Sequence, residues 1–199
     1  MKPIDQWLLE GLTQRLSWLK EAPKQVLVYP HQPALLAAIH HQWPEVHCLA
    51  FNEEQTEQVD GVIIATIWVA AIDLSDLMIK LTDKVKPGGW LHWLALGDPS
   101  FVGCDQKGVW PSPQTFCELL TNQGWKDVVL SRQEQRIHYD DPKGFYRDLD
   151  VLHANHLPVI DDTSLTLTLC WLHAWQEDHC VSIPLSSLSL PKKKPVEKT

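Results

Sequence analysis

The chain has 199 residues, of which 44% are hydrophobic and 21% are charged, a composition typical of one ordinary globular domain. Its net charge is −8 with neutral histidines, which argues against binding to the phosphate backbone of nucleic acids. No apolar run reaches the roughly 20 residues of a membrane span, and the N-terminus lacks a signal-peptide pattern. We therefore expect a cytoplasmic protein without a membrane partner.

The first half of the chain alternates between helical and strand patterns. Apolar residues at spacings of three and four predict the first helix, which Pro23 ends. Short runs rich in β-branched residues predict buried strands. In chain order, the predicted elements are a helix over 4–22, a strand over 25–29, a helix over 33–43, strands over 46–51 and 60–69, and a helix over 74–85.

The second half continues this alternation. In chain order we predict a turn over 86–89, a strand over 90–96, a loop over 97–109, a helix from Pro113 to Asn122, a strand over 128–139, a helix from Pro142 and a strand over 165–175. Such alternation predicts an α/β fold with a doubly wound, mostly parallel sheet. We expect one domain over 1–190 and a disordered basic tail over 191–199.

Three segments resemble class I S-adenosylmethionine (SAM) methyltransferases. Residues 84–91 (KVKPGGWL) are similar to the LKPGG turn ahead of strand five in that fold. Residues 60–64 (DGVII) resemble the start of strand four, and residues 113–125 (PQTFCELLTNQGW) resemble the helix and turn before strand six. The resemblance implies a Rossmann-like, doubly wound sheet of seven mostly parallel strands.

The C-terminal part resembles a narrower family, the malonyl-acyl-carrier-protein O-methyltransferases of biotin synthesis. Tyr139-Asp-Asp-Pro, residues 147–155 (RDLDVLHAN) and the closing LCWLHAW strand are similar to that family, although His153 replaces its usual glycine. The resemblance implies that Tyr139, Arg147 and Asn155 would line the acceptor side of an active enzyme. The alternative is that Arg147 and its neighbour Asp148 make structural hydrogen bonds.

The turn after the first strand departs from the family. Residues 28–34 (VYPHQPA) stand where the family has a glycine-rich loop that lets the cofactor approach the backbone closely. No glycine occurs between Gly11 and Gly61, and two prolines remove backbone N–H groups from the turn. We predict that Tyr29, Pro30 and His31 place bulk where the methionine part of SAM would lie.

The second cofactor position is also altered. The family resemblance implies an acidic residue at the end of strand two that binds the ribose hydroxyls, where this chain has Phe51-Asn52-Glu53. Glu53 or Glu54 could take that role after a shift of register. The alternative is that these acids occupy the first turn of a helix, where the helix dipole favours them.

The histidines and cysteines do not show the spacing of a metal site, so we expect no metal. His153 and His156, with Asp150 one turn earlier, are better explained as a solvated or hydrogen-bonded group. Tryptophans in predicted strands are expected in the core. Trp7, Trp43 and Trp110 lie near helix and loop ends, where exposed aromatic side chains favour protein interfaces.

These patterns predict a methyltransferase-like fold whose cofactor loop is degenerate. We expect a non-catalytic homologue without a cofactor that binds another protein as a scaffold partner, either an active methyltransferase or an acyl carrier protein. The alternative is an active SAM-dependent O-methyltransferase that acts on a carboxylate of an acyl-carrier-protein thioester or on another small acid. A different reaction on the same fold is a third possibility that no motif specifies.

Overall fold

A computed structural model describes residues 4–52, 54, 57–68, 73–102, 110–154, 159 and 164–176 of the chain. Within these ranges the helices are α1 (Ile4–Leu16), α2 (Pro33–Gln42), α3 (Leu74–Thr82), α4 (Pro113–Asn122) and α5 (Pro142–Val151), with a 3₁₀ turn at Thr66–Trp68. The strands are β1 (Gln25–Tyr29), β2 (His47–Ala50), β3 (Val59–Ala65), β4 (Val85–Val102), β5 (Lys126–His138) and β6 (Ser164–Trp175).

The strands form one sheet in the order β2-β1-β3-β4-β6-β5. The first four strands along the chain pair in parallel, and β6 runs antiparallel between β4 and β5. The predicted α/β class with a mostly parallel sheet is confirmed. The described residues supply the six strands that the sequence patterns predict, and the seventh strand implied by the resemblance is not among them.

Helices cover both faces of this sheet. α1, α2 and α5 pack on one face, and α3 and α4 pack on the other. The alternation of side chains along β4 supplies both cores, because Leu94 and Leu96 point to the first face while Leu91 and Trp93 point to the second. This arrangement is the predicted doubly wound architecture. No helix in the described part of the chain is long and apolar enough to cross a membrane.

Several element boundaries in the N-terminal half differ from the predictions. The first helix ends at Leu16 rather than at residue 22, because the Ser17 hydroxyl donates to the carbonyl of Gln14 and the next bonds tighten to the i→i−3 type. The third strand ends at Ala65 rather than at residue 69, and a 3₁₀ turn follows it.

β4 extends beyond its prediction at both ends. It begins at Val85, directly after α3 ends at Thr82 rather than at residue 85, so residues 86–89, predicted as a turn, lie inside the strand as an irregularity in its pairing with β3.

At its other end, β4 runs to Val102, whereas the sequence predicts a loop from Gly97. The Ser100 hydroxyl donates to the Gly97 carbonyl at 2.6 Å and accepts from the Thr168 N–H at 3.0 Å, which carries the strand pairing across an irregularity. Regular pairing resumes between Val102 and Thr166. Residues 103–109 of the predicted loop lie outside the described residues.

The DGVII motif has a structural role at the amino end of the sheet. Asp60 accepts hydrogen bonds from the N–H groups of Lys24 and Gln25 at 2.8 and 2.9 Å, and from the ammonium group of Lys86 at 2.7 Å. Burial raises the pKa of this carboxyl, but these three donors outweigh burial and the pKa is lowered. Asp60 therefore ties β1, β3 and the first residues of β4 together at the edge opposite the candidate site.

Candidate functional site

The sheet has a topological switch point between β1 and β3. From β1 the chain passes to β2 on one side and then returns to β3 on the other side. In doubly wound sheets, ligands bind outside the carboxyl ends of the strands at such a point. The candidate site is therefore the region beyond Tyr29 of β1, flanked by Phe51 and Asn52 after β2 and by Thr66 after β3.

The turn after β1 is occupied by its own side chains. The half-buried Tyr29 ring packs edge-on against Phe51, with ring centroids 6.0 Å apart, across the ends of β1 and β2. Pro30 is half-buried and His31 is exposed. The Gln32 N–H donates to the Pro30 carbonyl at 2.9 Å, so this group is used inside the turn. Pro30 and Pro33 carry no N–H at all.

These residues do not fit the methionine part of SAM. That part carries a carboxylate and an ammonium group, which need partners when they leave water. A glycine-rich turn would present free backbone N–H groups at close range. Here the first helical residue of α2 is Pro33, and an aromatic pair covers the strand ends. The assignment of Tyr29, Pro30 and His31 as degenerate cofactor positions stays a prediction.

The described residues directly after β2, Phe51 and Asn52, are not acids, and the exposed Glu54 two residues further on lies in a turn rather than in a helix. Asn52 is exposed, and its side-chain oxygen accepts from the N–H of Glu54 at 3.0 Å in a local turn. The Asn52 side chain carries no charge, and its oxygen accepts a hydrogen bond from the Glu54 N–H instead of one from a ribose hydroxyl. Glu53, which was also predicted for this position together with Glu54, lies outside the described residues.

The predicted acceptor residues follow β5 at the same edge of the sheet. Asp141 caps α5 by accepting from the N–H of Lys143 at 3.0 Å. Asp148, only 1% exposed, accepts from the Tyr139 hydroxyl at 3.0 Å and from Arg147 Nη2 at 2.7 Å. These contacts match the alternative in which the group is structural. Asn155 lies outside the described residues, and an acceptor role for these residues stays a prediction.

Within the Tyr139–Asp148–Arg147 group, the charge of the carboxylate is balanced by the guanidinium of Arg147. Burial, and then the negative charge of Asp148, raise the pKa of the Tyr139 phenol, which therefore stays protonated and donates its hydrogen. The hydrogen bond and charge of Asp148 raise the pKa of Arg147. The Asp148 carboxylate accepts from a phenol and from a guanidinium, and these contacts hold α5 against the end of β5.

We expect Tyr139→Phe to lower the free energy of unfolding by about 1–2 kcal/mol, because the buried Asp148 carboxylate loses a donor. Tyr146→Phe is the matched control, since Tyr146 lies on the adjacent helix α5 and is half exposed. It should change stability by less than about 0.5 kcal/mol. Urea unfolding followed by circular dichroism measures both. Equal stability of the two variants would contradict the structural role.

A pair of histidines, His92 buried and His173 half-buried, was not foreseen from the sequence. His92 of β4 and His173 of β6 are directly opposite in the sheet beneath α1, with their Nδ1 atoms 3.2 Å apart. Burial, then the neighbouring His173 and Arg15, lower the pKa of His92 well below its usual value. Burial lowers the pKa of His173 to about 4. Both rings are therefore neutral at pH 7, and the guanidinium of Arg15 stacks 3.9 Å over the nearby Trp171 ring.

The tryptophans divide between core and surface. Trp90, Trp93 and Trp171 are buried, as predicted for tryptophans in strands, whereas Trp175 at the end of β6 is half-buried. The expectation that Trp43 is exposed is wrong, because it packs 5.9 Å from the Trp90 ring beneath the end of α2. Trp7 and Trp110 are half-buried, and their interface role stays a prediction. Trp18, 67% exposed just beyond α1, was missed because the helix was predicted to continue past it.

The sheet order, the antiparallel β6 between β4 and β5, and the switch point belong to a fold that this chain shares with solved SAM-dependent methyltransferases. Three solved structures show the likeness. A SAM-dependent methyltransferase of Thermotoga maritima, described as a possible histamine N-methyltransferase, is 11% identical over 87% of this chain and 91% of its own, with a TM-score of 0.51. One from Archaeoglobus fulgidus is 11% identical over 86% and 94%, with a TM-score of 0.51. A SAM-dependent O-methyltransferase of Thermotoga maritima is 10% identical over 87% and 66%, with a TM-score of 0.52.

At these identities the likeness shows the fold alone. No protein-family model matches the chain, and no curated protein matches it in sequence. The narrower resemblance to the biotin-pathway O-methyltransferases therefore stays a prediction.

Proposed function

We propose that this chain is a non-catalytic protein on the methyltransferase fold that acts by binding another protein. The observation that carries the proposal is the glycine-free turn over 29–33 at the switch point, with Tyr29 packed on Phe51. A buried polar group without a partner costs about 1–3 kcal/mol. A SAM molecule placed here would meet the Tyr29–Phe51 pair and a turn in which two residues offer no N–H to its charged groups.

A protein partner is supported by the exposed apolar side chains of the chain. Trp18, Ile79, Val129 and Tyr146 are each about half exposed or more, on separate elements of the fold. Aromatic residues are enriched where proteins bind one another. An acyl carrier protein or an active methyltransferase is the partner that the sequence resemblance favours.

The alternative is an active O-methyltransferase that uses a small acid or an acyl-carrier-protein thioester. Tyr139 and Arg147 lie at the carboxyl edge of the sheet, where an acceptor substrate would bind. However, both side chains already donate hydrogen bonds to the Asp148 carboxylate. A substrate carboxylate would have to compete with a buried carboxylate for Arg147, which disfavours this alternative.

The test combines a transfer assay with a binding assay. The purified chain is incubated with SAM labelled in its methyl group and malonyl-acyl carrier protein, with a competent O-methyltransferase as the positive control. We expect no label in the carrier protein, whereas calorimetry without SAM should detect binding of the carrier protein or of an active methyltransferase. Label transfer above the protein-free background would refute the proposal and support the alternative.

A further inference from the structure

The sheet ends in a long, regular strand edge. β5 pairs with β6 on one side, and no described strand lies on its other side. Residues 129–138 pair in unbroken register with β6, and the only irregularity of this pairing lies between Lys126 and Val129. Such an edge presents a row of unpaired N–H and C=O groups, which another strand can use.

The exposed charged side chains on this edge alternate in sign, so they would not all repel a second copy of the strand. Arg132, Glu134 and Arg136 are exposed and occupy every second position, so they share one face of the sheet. Charged residues of one sign would block pairing with a second strand. With alternating charges, a positive side chain of one copy can instead lie opposite the negative side chain of a second copy that runs antiparallel.

The register of such a pair follows from the charges. A twofold axis at Gln133 places Arg132 of each copy opposite Glu134 of the other, and Val129 opposite Ile137. An axis at Arg132 or at Glu134 would place like charges opposite each other, which is destabilising. An axis at Gln135 also pairs opposite charges, but it overlaps a shorter part of the strand and leaves Val129 unpaired.

We propose that two copies of this chain associate antiparallel through β5 around an axis at Gln133, which makes one sheet continuous across the dimer. Val129, 51% exposed, would be covered by Ile137 of the second copy. A strand pair alone buries less than the roughly 1,200–2,000 Å² of a stable complex. The dimer should therefore be reversible, with a dissociation constant in the micromolar range. The proposal does not depend on whether SAM or a carrier protein binds.

The experiment is sedimentation velocity of the full chain across micromolar concentrations, with three variants. Glu134→Arg places like charges opposite each other twice and should weaken the dimer on the order of tenfold or more. The double variant Arg132→Glu/Glu134→Arg restores opposite charges only in the register centred on Gln133, so it should recover wild-type association. Glu45→Arg, an exposed residue beside β2 at the opposite edge of the sheet, is the charge-matched control and should dimerise like the wild type.

Circular dichroism verifies that each variant is folded. A wild-type chain that stays monomeric throughout, including one whose own terminal segment covers β5, overturns the proposal. A dimer that is insensitive to Glu134→Arg places the interface elsewhere and also overturns it. Failure of the double variant to recover association would contradict the register. None of these outcomes bears on the transfer assay above.

Discussion

The free energy of unfolding should fall by about 3 kcal/mol between pH 6.5 and pH 4 through the protonation of His173 alone. His173 has a pKa of about 4 in the folded chain, below its ordinary value near 6.5, and each pKa unit corresponds to about 1.4 kcal/mol. Because the folded state keeps the rings neutral, the unfolded chain binds more protons in this range. The contribution is fully present above pH 6.5 and is lost as the pH decreases toward 4.

The measurement is urea unfolding at a series of pH values for the wild type and for His173→Gln. The wild type should lose stability more steeply below pH 6.5, because the variant has no ring to protonate at that position. His138→Gln, at an exposed site at the end of β5, is the matched control and should follow the wild type. Parallel curves for the wild type and His173→Gln would contradict the role of the pair.

Trp93→Ala should lower the free energy of unfolding by about 3–5 kcal/mol, the range observed when a large buried aromatic is truncated. Trp93 is fully buried, packs edge-on against Phe116 at 4.9 Å and donates its Nε1 hydrogen to Thr66 Oγ1 at 2.9 Å. The substitution therefore leaves a cavity between β4 and α4. It also releases the turn after β3 that flanks the switch point.

Two further variants separate these contributions. Trp93→Phe keeps most of the packing and removes the hydrogen bond, so it should cost about 1–2 kcal/mol. Trp18→Ala removes the same side chain from an exposed site and should cost less than about 0.5 kcal/mol. Chemical denaturation measures all three. A loss below about 2 kcal/mol for Trp93→Ala would show that the core of this face is not closely packed around Trp93.

The fold class could be predicted from the sequence because helix caps and turn residues depend only on neighbours in the chain. Ser112 and Asp141 cap α4 and α5 at the predicted positions, and Gly124 takes the positive φ expected after a helix. The extension of β4 was not accessible in this way. It depends on the Ser100 hydroxyl bonding to Thr168, a contact between residues far apart in the chain.

The candidate site was predictable only as a list of unusual residues. The missing glycines and the two prolines of the β1 turn are visible in the sequence, but the packing of Tyr29 on Phe51 depends on β1 and β2 being neighbours. The pairing of His92 with His173 likewise depends on β6 inserting between β4 and β5. Register across a sheet is a tertiary property, and periodicity alone does not specify it.

Calorimetric titration of SAM and S-adenosylhomocysteine into the purified chain tests the central claim most directly, with thermal unfolding as a second readout. We expect no heat of binding and no change in Tm at millimolar ligand. The turn after β1 places the side chains of Tyr29 and Pro30 where the cofactor would need exposed backbone N–H groups. A ligand that binds the folded state alone would stabilise it by about 2.7 kcal/mol at one hundred times its Kd. Micromolar binding would contradict the account and would show that Tyr29 and Phe51 separate to admit the cofactor.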